Sequence, residues 1–244
     1  MEKHDIYNWG PLERLKSYIQ KYGLRYTLEY SMEKIFSPIL HIYYKKFKRP
    51  EKFIFEGKSL EYFYHKYRST WANERIVEIP IFKEMLNETS PENTLEVGNV
   101  LSHYFEVKYD ILDKYENLPN IIQEDILSFM PEKKYKLIIS ISTFEHIGWD
   151  ENPRNPEKVK DVIAHIKCLL KDGGRLVFSV PVNYNPELDK MIFSGEINLE
   201  KKIYLKRTDK GNHWLEVNEK DILHSKYGNP YFCANALIIG FIKN

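Results

Sequence analysis

The segment from residue 93 onward alternates short apolar runs with amphipathic stretches, and this alternation constrains the fold more than any other feature. Seven runs have the composition of β-strands: TLEVGNV, YDILD, NIIQED, KLIISIS, RLVFSVPV, KIYLKR and ANALIIGFIKN. A helix with one apolar face is expected in PEKVKDVIAHIKCLLKDGG, ending at Gly173, and another around NEKDILHSK. Continuously apolar strands separated by helices predict a doubly wound, mostly parallel α/β sheet with helices on both faces.

The first part of the chain differs from the rest in the spacing of its apolar residues. Residues 1–90 predict a mainly helical N-terminal extension that would cap the sheet domain of residues 91–244. Apolar side chains recur at helical spacing over residues 12–22 and again over residues 27–46. The sequence therefore predicts one α/β domain preceded by an extension that helps to select the substrate.

The end of this extension carries two further local patterns. The run FIFEGKSLEYFYHKY alternates as a short hairpin does, with its turn at Glu56-Gly57-Lys58. The run STWANERIVEIPIFKEMLNET predicts a helix, with Ser69 or Thr70 as its N-cap. Both elements are expected directly before the first strand of the sheet.

Composition excludes several classes of function. The 36 basic and 35 acidic residues give a net charge near +1, which offers no electrostatic case for nucleic acid. Cys168 and Cys233 form no CxxC pair, so we predict neither a metal site nor a disulfide framework. The N-terminus has no apolar segment of a secretory signal, and no run of about 18 apolar residues occurs. We therefore expect a cytoplasmic protein.

One basic, aromatic run, KKFKRPEKF, raises the alternative of peripheral contact with a membrane surface. Cations interleaved with aromatic residues suit a membrane surface, whereas most basic runs are solvated loops. The solvated loop is the simpler interpretation, and the oligomeric state is not predicted.

Acidic and small residues follow three of the predicted strands. Glu96 and Gly98 end the first strand, where a glycine lets the backbone approach a ligand closely. Asp113 ends the second, where a carboxylate can accept hydrogen bonds from a ribose diol. Asp125 follows the third and would receive an adenine amino group, while Ile126 offers apolar contact. Ligands of doubly wound sheets bind beyond the carboxyl ends of the strands, so these residues are expected to face one site.

This succession resembles the class I S-adenosylmethionine-dependent methyltransferases. In that family the first strand reads (D/E)-x-G-x-G-x-G, the second ends in an acidic residue that holds the ribose, and a later aspartate with an apolar neighbour holds adenine. The fourth strand often ends in a Glu-His-like pair, which corresponds to Glu145 and His146. The resemblance covers roughly residues 93–182 motif by motif, and the rest of the chain by element order. It implies S-adenosylmethionine as cofactor and methyl transfer to an oxygen, nitrogen or carbon atom of a small-molecule or sugar-like acceptor.

The resemblance also gives roles to neighbouring residues. Asn99 and Ser142 are further candidates for cofactor contact, because they follow the first and fourth strands. Arg75, on the preceding helix, would pair with the cofactor carboxylate, and an ion pair on a solvated helix face is the alternative. His146 is the candidate general base for an acceptor that holds its proton tightly. The alternative for His146 is a histidine at a helix start that only binds the backbone.

The glycine motif departs from the family pattern. Val100 and Ser102 stand where the second and third glycines of the family would be. A side chain at Val100 would meet the cofactor, so a methyltransferase-like binding or assembly module without catalysis is the alternative function. The dinucleotide fingerprint and the P-loop are both absent. S-adenosylmethionine has no phosphate, and it therefore tolerates the loss of a phosphate-binding glycine loop better than a dinucleotide would.

Overall fold

The computed structural model describes residues 42–48 and 51–244, together with the single positions 16, 19, 28, 31, 36, 39 and 40. The predicted helix over residues 12–22 lies almost wholly outside the described residues. Most of the predicted helix over residues 27–46 also lies outside the described residues. Its last residues begin a π-helix at Tyr44–Lys48. The division of the chain at residue 90 stays a prediction.

The strands and helices that position the site are numbered here in chain order. The strands are β1 (Lys52–Phe55), β2 (Lys58–Glu61), β3 (Thr94–Val97), β4 (Asp110–Asp113), β5 (Ile121–Gln123), β6 (Tyr135–Ile141), β7 (Leu170–Pro181), β8 (Lys201–Arg207), β9 (Trp214–Val217) and β10 (Ala236–Lys243). The helices are α1 (Arg75–Leu86), α2 (Lys158–Leu169) and α3 (Pro186–Phe193). Among the described residues, no helix has both the length and the apolar character needed to cross a membrane.

The main sheet has eight strands in the order β5-β4-β3-β6-β7-β10-β8-β9. The first five in this order are parallel to one another, and β10 runs antiparallel to both β7 and β8. The predicted mostly parallel α/β sheet is therefore confirmed. The order proceeds outward in one direction from β3 through β4 to β5, and in the other through β6 to β7. The carboxyl ends of β3 and β6 thus form the point where ligands of doubly wound sheets bind.

Successive side chains of the central strands point to opposite faces of the sheet, and each face has its own apolar core. In β6, Leu137 and Ile139 belong to one core, while Ile138 belongs to the other. The first core includes side chains of the β1–β2 hairpin and of α1, and the second includes side chains of α2 and α3. The hairpin and α1 therefore pack on the same face of the sheet and bring the start of α1 to the edge where β3 and β6 end.

The predicted hairpin is confirmed, with Glu56 and Gly57 at its turn, but the predicted N-cap of the next helix is wrong. Helix α1 begins at Arg75, whose N–H donates to Asn73 Oδ1 at 3.0 Å and not to Ser69 or Thr70. Thr70 is buried, and its hydroxyl instead donates to the Phe63 carbonyl at 2.6 Å and accepts from the His65 N–H at 2.8 Å. Thr70 therefore fixes the segment that follows β2, a long-range role that its sequence position does not reveal.

Two helix predictions in the second half of the chain are also wrong, one in where the helix ends and one in the type of helix. Helix α2 ends at Leu169 and not at Gly173, because Leu170 is extended and pairs with Tyr135 of β6. The run around NEKDILHSK forms only a 3-10 turn at Glu219–Asp221. The sequence pattern predicts no helix at α3; Asn185 caps this helix by accepting from the Leu188 N–H at 3.1 Å.

Candidate functional site

A cavity of about 590 Å³ opens at the carboxyl ends of β3, β4 and β6, a size suited to a small organic ligand. Eight of the nine residues predicted to contact cofactor or acceptor line it: Arg75, Gly98, Asn99, Asp113, Asp125, Ile126, Ser142 and His146. Glu96 is the exception. A second cavity of about 520 Å³ lies between β2 and α1 and contains none of these residues.

Gly98 forms the turn that follows β3. Its φ is +84°, a conformation that side chains disfavour, and its N–H donates to the Leu112 carbonyl at 2.8 Å. A Cβ at this position would lie 2.2 Å from Thr143 Oγ1, which follows β6. The glycine is therefore required by the packing of two strand ends as well as by the backbone of the turn.

Asp113 ends β4 and binds the backbone of two turns. Its Oδ2 accepts from the Asn99 N–H at 3.0 Å, and its Oδ1 accepts from Tyr115 and Glu116 N–H groups at 2.8 Å each. A carboxylate can accept about four hydrogen bonds, so Oδ2 keeps capacity for one more donor. The side chain is thus held rigidly in the cavity wall with an acceptor position to spare.

Asp125 lies in a cluster of four charges at the same end of the cavity. Its Oδ2 is 3.0 Å from Lys114 Nζ and 3.1 Å from Lys158 Nζ, and both lysines also contact Glu151. Burial alone would raise the pKa of Asp125, but the Leu127 N–H and the two lysines lower it to about 2. Asp125 is therefore ionised, and Ile126 beside it is buried in the apolar core and the cavity wall.

Arg75 and Ser142 meet at the buried carboxylate of Glu78. Ser142 Oγ and Ser179 Oγ each donate to Glu78 Oε1 at 2.6 Å, and Arg75 donates to Glu78 Oε2. Burial lowers the pKa of Arg75, but Glu78 and Glu74 outweigh that effect and raise it above its ordinary value. Arg75 thus forms an ion pair, but a buried one and not the pair on a solvated helix face expected as the alternative. It also lines the cavity, and its pairing with a cofactor carboxylate stays a prediction.

His146 lies in the cavity wall, in a short turn after β6. Its Nδ1 is 2.6 Å from Asp150 Oδ2, and its Nε2 is 3.6 Å from Glu145 Oε1. The Tyr184 hydroxyl donates to the same Asp150 oxygen at 2.8 Å, and the Tyr184 ring meets the imidazole edge-on at 4.7 Å. The imidazole therefore does more than bind the backbone: two side chains fix its orientation in the cavity wall.

Sequence comparison gives two curated relatives and no matching family model. Malonyl-[acyl-carrier protein] O-methyltransferase 2 of Ilyobacter polytropus is 32% identical over 99 residues, which cover 41% of this chain and 34% of that protein. Methyltransferase 1 of the same name and organism is 31% identical over 99 residues, covering 41% and 33%. The chain thus spans about a third of the length of these relatives.

These similarities agree with the sheet order and the motifs at its strand ends. The chain has a class I methyltransferase fold. The predicted resemblance is confirmed. Among solved structures, N-methyltransferase NodS from Bradyrhizobium japonicum WM9, in complex with S-adenosyl-L-homocysteine, aligns at 12% identity with a TM-score of 0.41, covering 71% of this chain and 94% of that one. A SAM-dependent methyltransferase from Archaeoglobus fulgidus aligns at 13% identity with a TM-score of 0.40, covering 67% and 93%.

In this methyltransferase fold, Glu96 lies beneath the cavity and not in its wall. Its Oε1 accepts from the Val100 and Leu101 N–H groups at 2.8 and 2.9 Å, and its Oε2 accepts from the Tyr109 hydroxyl at 2.9 Å. Burial raises the pKa of Glu96 to about 7. The observed contacts of this carboxyl group are to the turn and to Tyr109, and its direct contact with the cofactor stays a prediction.

The two departures from the glycine motif, Val100 and Ser102, do not close the cavity. Val100 lines the cavity and packs against the apolar core, and about 590 Å³ remains open beside it. Ser102 Oγ donates to Asn99 Oδ1, and Asn99 Nδ2 donates to Glu116 Oε2 at 2.6 Å. The side chains that replace the glycines therefore stabilise the turn and leave the cavity open.

Several residues of the site escaped prediction from the sequence. Asp150 stands four residues after His146, the spacing of neighbours on one helical face, and that signal would have found it. Lys114 and Lys158 carry no such signal, because they meet Asp125 only when β4 and α2 are assembled. Tyr184 lies 34 residues from Asp150 in sequence, so no local pattern connects the two residues.

Proposed function

We propose that the chain transfers a methyl group from S-adenosylmethionine to a small-molecule or sugar-like acceptor. The observation that carries this proposal is the convergence of eight predicted residues on one cavity at the switch point of the sheet. Their order along the cavity suits a nucleoside at the ends of β4 and β5 and a methionine group toward α1. The relatives are named as methyltransferases of a malonyl carrier protein, but the chain spans only a third of them, so the acceptor is proposed on the site alone.

The chemistry of the cavity fits the cofactor. Val97, Leu112 and Ile126 supply apolar walls, and Asp113 and Asp125 supply carboxylates for a ribose and an adenine. When bound, S-adenosylmethionine supplies a methyl group already activated on a sulfonium. The protein would orient the acceptor, exclude water and, where the acceptor holds its proton tightly, take that proton.

Specific roles follow for the residues of the wall. The remaining acceptor position of Asp113 would bind a ribose hydroxyl, and Asp125 with Ile126 would bind adenine. Arg75 would pair with the methionine carboxylate beside Ser142, because its charge is maintained by Glu78 beneath the cavity.

Titration calorimetry with S-adenosylmethionine and S-adenosylhomocysteine tests the cofactor assignment. We expect micromolar binding that Asp113→Asn weakens roughly tenfold, since asparagine loses one charged acceptor at the ribose. Asparagine keeps an oxygen for part of the turn, which makes it a better probe than alanine. Asp161→Asn, on the exposed first turn of α2, is the matched control and should leave affinity unchanged.

The outcomes separate the two functions considered for this fold. Absence of heat at high ligand concentration would remove the cofactor assignment. Tight binding of both ligands, with no labelled methyl passed to any component of a metabolite extract, would favour a binding or assembly module over an enzyme.

A further inference from the structure

We propose that the acceptor nucleophile is a hydroxyl group, and that His146 Nε2 takes its proton while Asp150 positions the imidazole. This proposal rests on the proposed methyltransferase function and names the class of substrate that the site accepts. It is carried by three features at the cavity: the His146–Asp150 contact, the pairing of each cation among the described lining residues, and the buried carboxyl group of Glu145 beside His146.

The His146–Asp150 contact sets the tautomer of the ring. An ionised carboxylate can only accept hydrogen bonds, so the 2.6 Å contact to Asp150 Oδ2 places a proton on Nδ1. In the neutral ring Nε2 then carries the lone pair. The Tyr184 hydroxyl donates to the same Asp150 oxygen at 2.8 Å, which holds the carboxylate in place beside the ring. This is the arrangement of a base oriented by a third group.

The orientation of the ring is also fixed by packing. The His146 N–H donates to the Thr143 carbonyl at 3.0 Å, and the Asp150 N–H donates to the His146 carbonyl at 3.0 Å. Tyr184 meets the imidazole edge-on at 4.7 Å, and Tyr227 meets Tyr184 edge-on at 5.0 Å. The ring is therefore held by contacts on its backbone, on one nitrogen and on one edge.

The charges around the cavity disfavour a carboxylate acceptor. The cations among the described residues that line it are Arg75, Lys114 and Lys158, and each is in an ion pair with a carboxylate. An anionic acceptor would meet cations whose charge is already balanced by a carboxylate. It would also approach the Asp150 carboxylate, which contacts His146 Nδ1. The site therefore suits a neutral acceptor.

The carboxyl group beside Nε2 is that of Glu145. Glu145 is buried, and burial raises its pKa well above its ordinary value, which favours the neutral form of the carboxyl group. Its Oε2 has no hydrogen-bond partner within the described part of the chain. A hydroxyl that enters the cavity beside His146 can donate to Nε2, the acceptor nitrogen of the neutral ring.

A positioned base favours a hydroxyl over an amine. An ammonium group releases its proton to water before it reacts, and the free amine then needs no base. A hydroxyl oxygen becomes nucleophilic enough only as its proton leaves. In the step proposed, the O–H proton moves to His146 Nε2 and the acceptor oxygen bonds to the methyl carbon. The carbon–sulfur bond breaks with its electron pair on sulfur, which gives a methyl ether, S-adenosylhomocysteine and a protonated imidazole.

Ring-nitrogen NMR of the full, ¹⁵N-labelled chain tests the positioning role without any acceptor. His146→Gln identifies the His146 signals by their loss. We expect the neutral His146 ring to carry its proton on Nδ1. Asp150→Asn should abolish that preference, because an amide can donate to Nδ1, whereas Tyr184→Phe should retain it. A proton on Nε2 in the unaltered chain, or an unchanged tautomer in Asp150→Asn, would overturn the proposal.

The chemistry of the product tests the hydroxyl. The chain is incubated with methyl-labelled S-adenosylmethionine and a metabolite extract, and the labelled product is treated with mild alkali and then passed over a cation exchanger at low pH. A methyl ether resists alkali and is not retained; we expect this, with transfer about 100-fold slower in Asp150→Asn. Alkali-labile label indicates an ester and retained label an amine, and either overturns the hydroxyl. If no label is transferred, the proposed function fails, while the tautomer still decides the role of Asp150.

Discussion

Gly98 and Thr143 approach so closely that a Cβ on Gly98 would lie 2.2 Å from Thr143 Oγ1. The two residues follow β3 and β6, the strands between which the order of the sheet reverses. The family resemblance explains the glycine by the approach of a cofactor. In this structure the neighbouring strand end is reason enough for a residue without a side chain.

Gly98→Ala should therefore destabilise the protein even without cofactor. We expect a loss of about 2–4 kcal/mol in the free energy of unfolding, from a positive φ and from the clash with Thr143. Adding Thr143→Ala removes the two nearest atoms and leaves only a Cβ at 3.0 Å, so the double variant should regain about 1 kcal/mol. Urea unfolding measures both. A double variant no more stable than Gly98→Ala would show that the clash is not the cause.

Glu96 should make stability fall as pH rises toward neutrality. Its pKa rises from 4.5 to about 7 on folding because it is buried, so below pH 4.5 both states carry the proton. Between these values the unfolded chain has lost the proton while the folded chain keeps it, and stability falls by about 3 kcal/mol in total. Glu96→Gln should lack this fall when unfolding is measured from pH 4 to 8. Glu106→Gln, at an exposed position, should keep the fall in stability. If Glu96→Gln loses stability with pH as the unaltered protein does, Glu96 is not the group responsible.

Asn185 couples the cap of α3 to the segment that carries His146. Its side chain accepts from the Leu188 N–H at 3.1 Å and donates to the Glu145 carbonyl at 3.2 Å, and it is buried. Asn185→Ser keeps the cap and should cost about 1 kcal/mol, whereas Asn185→Ala loses both bonds and should cost about 2–3 kcal/mol. Thermal and urea unfolding give the two values. Equal losses would mean that the bond to Glu145 contributes nothing.

Lys114 and Lys158 should substitute for each other in part. Each contacts both Asp125 and Glu151, so loss of one lysine leaves the two carboxylates with a partner. We expect Lys114→Met with Lys158→Met to cost about 1 kcal/mol more than the sum of the single variants, and this excess should shrink in high salt. Strict additivity in a double-mutant cycle would show that the four charges do not act as one cluster.

Much of the site could be predicted because its residues occupy strand ends. A run such as TLEVGNV shows both that a strand is buried and where it stops, and parallel strands bring their carboxyl ends to one edge. Gly98, Asp113, Asp125 and Ser142 therefore needed no tertiary information to be placed at one cavity. The sheet itself followed from the same alternation of apolar runs and amphipathic helices.

Only the assembled structure decided how the polar groups are paired. Glu96 accepts its hydrogen bonds from the turn, Glu78 of α1 binds Ser142 and Ser179 of two other segments, and Asp150 binds Tyr184 from beyond β7. The spacing of apolar residues along the chain shows which strands are buried and which way their side chains point, and both are local properties. The partner of a buried charge depends on which segments, distant in sequence, are brought within hydrogen-bond distance, and that is a property of packing alone.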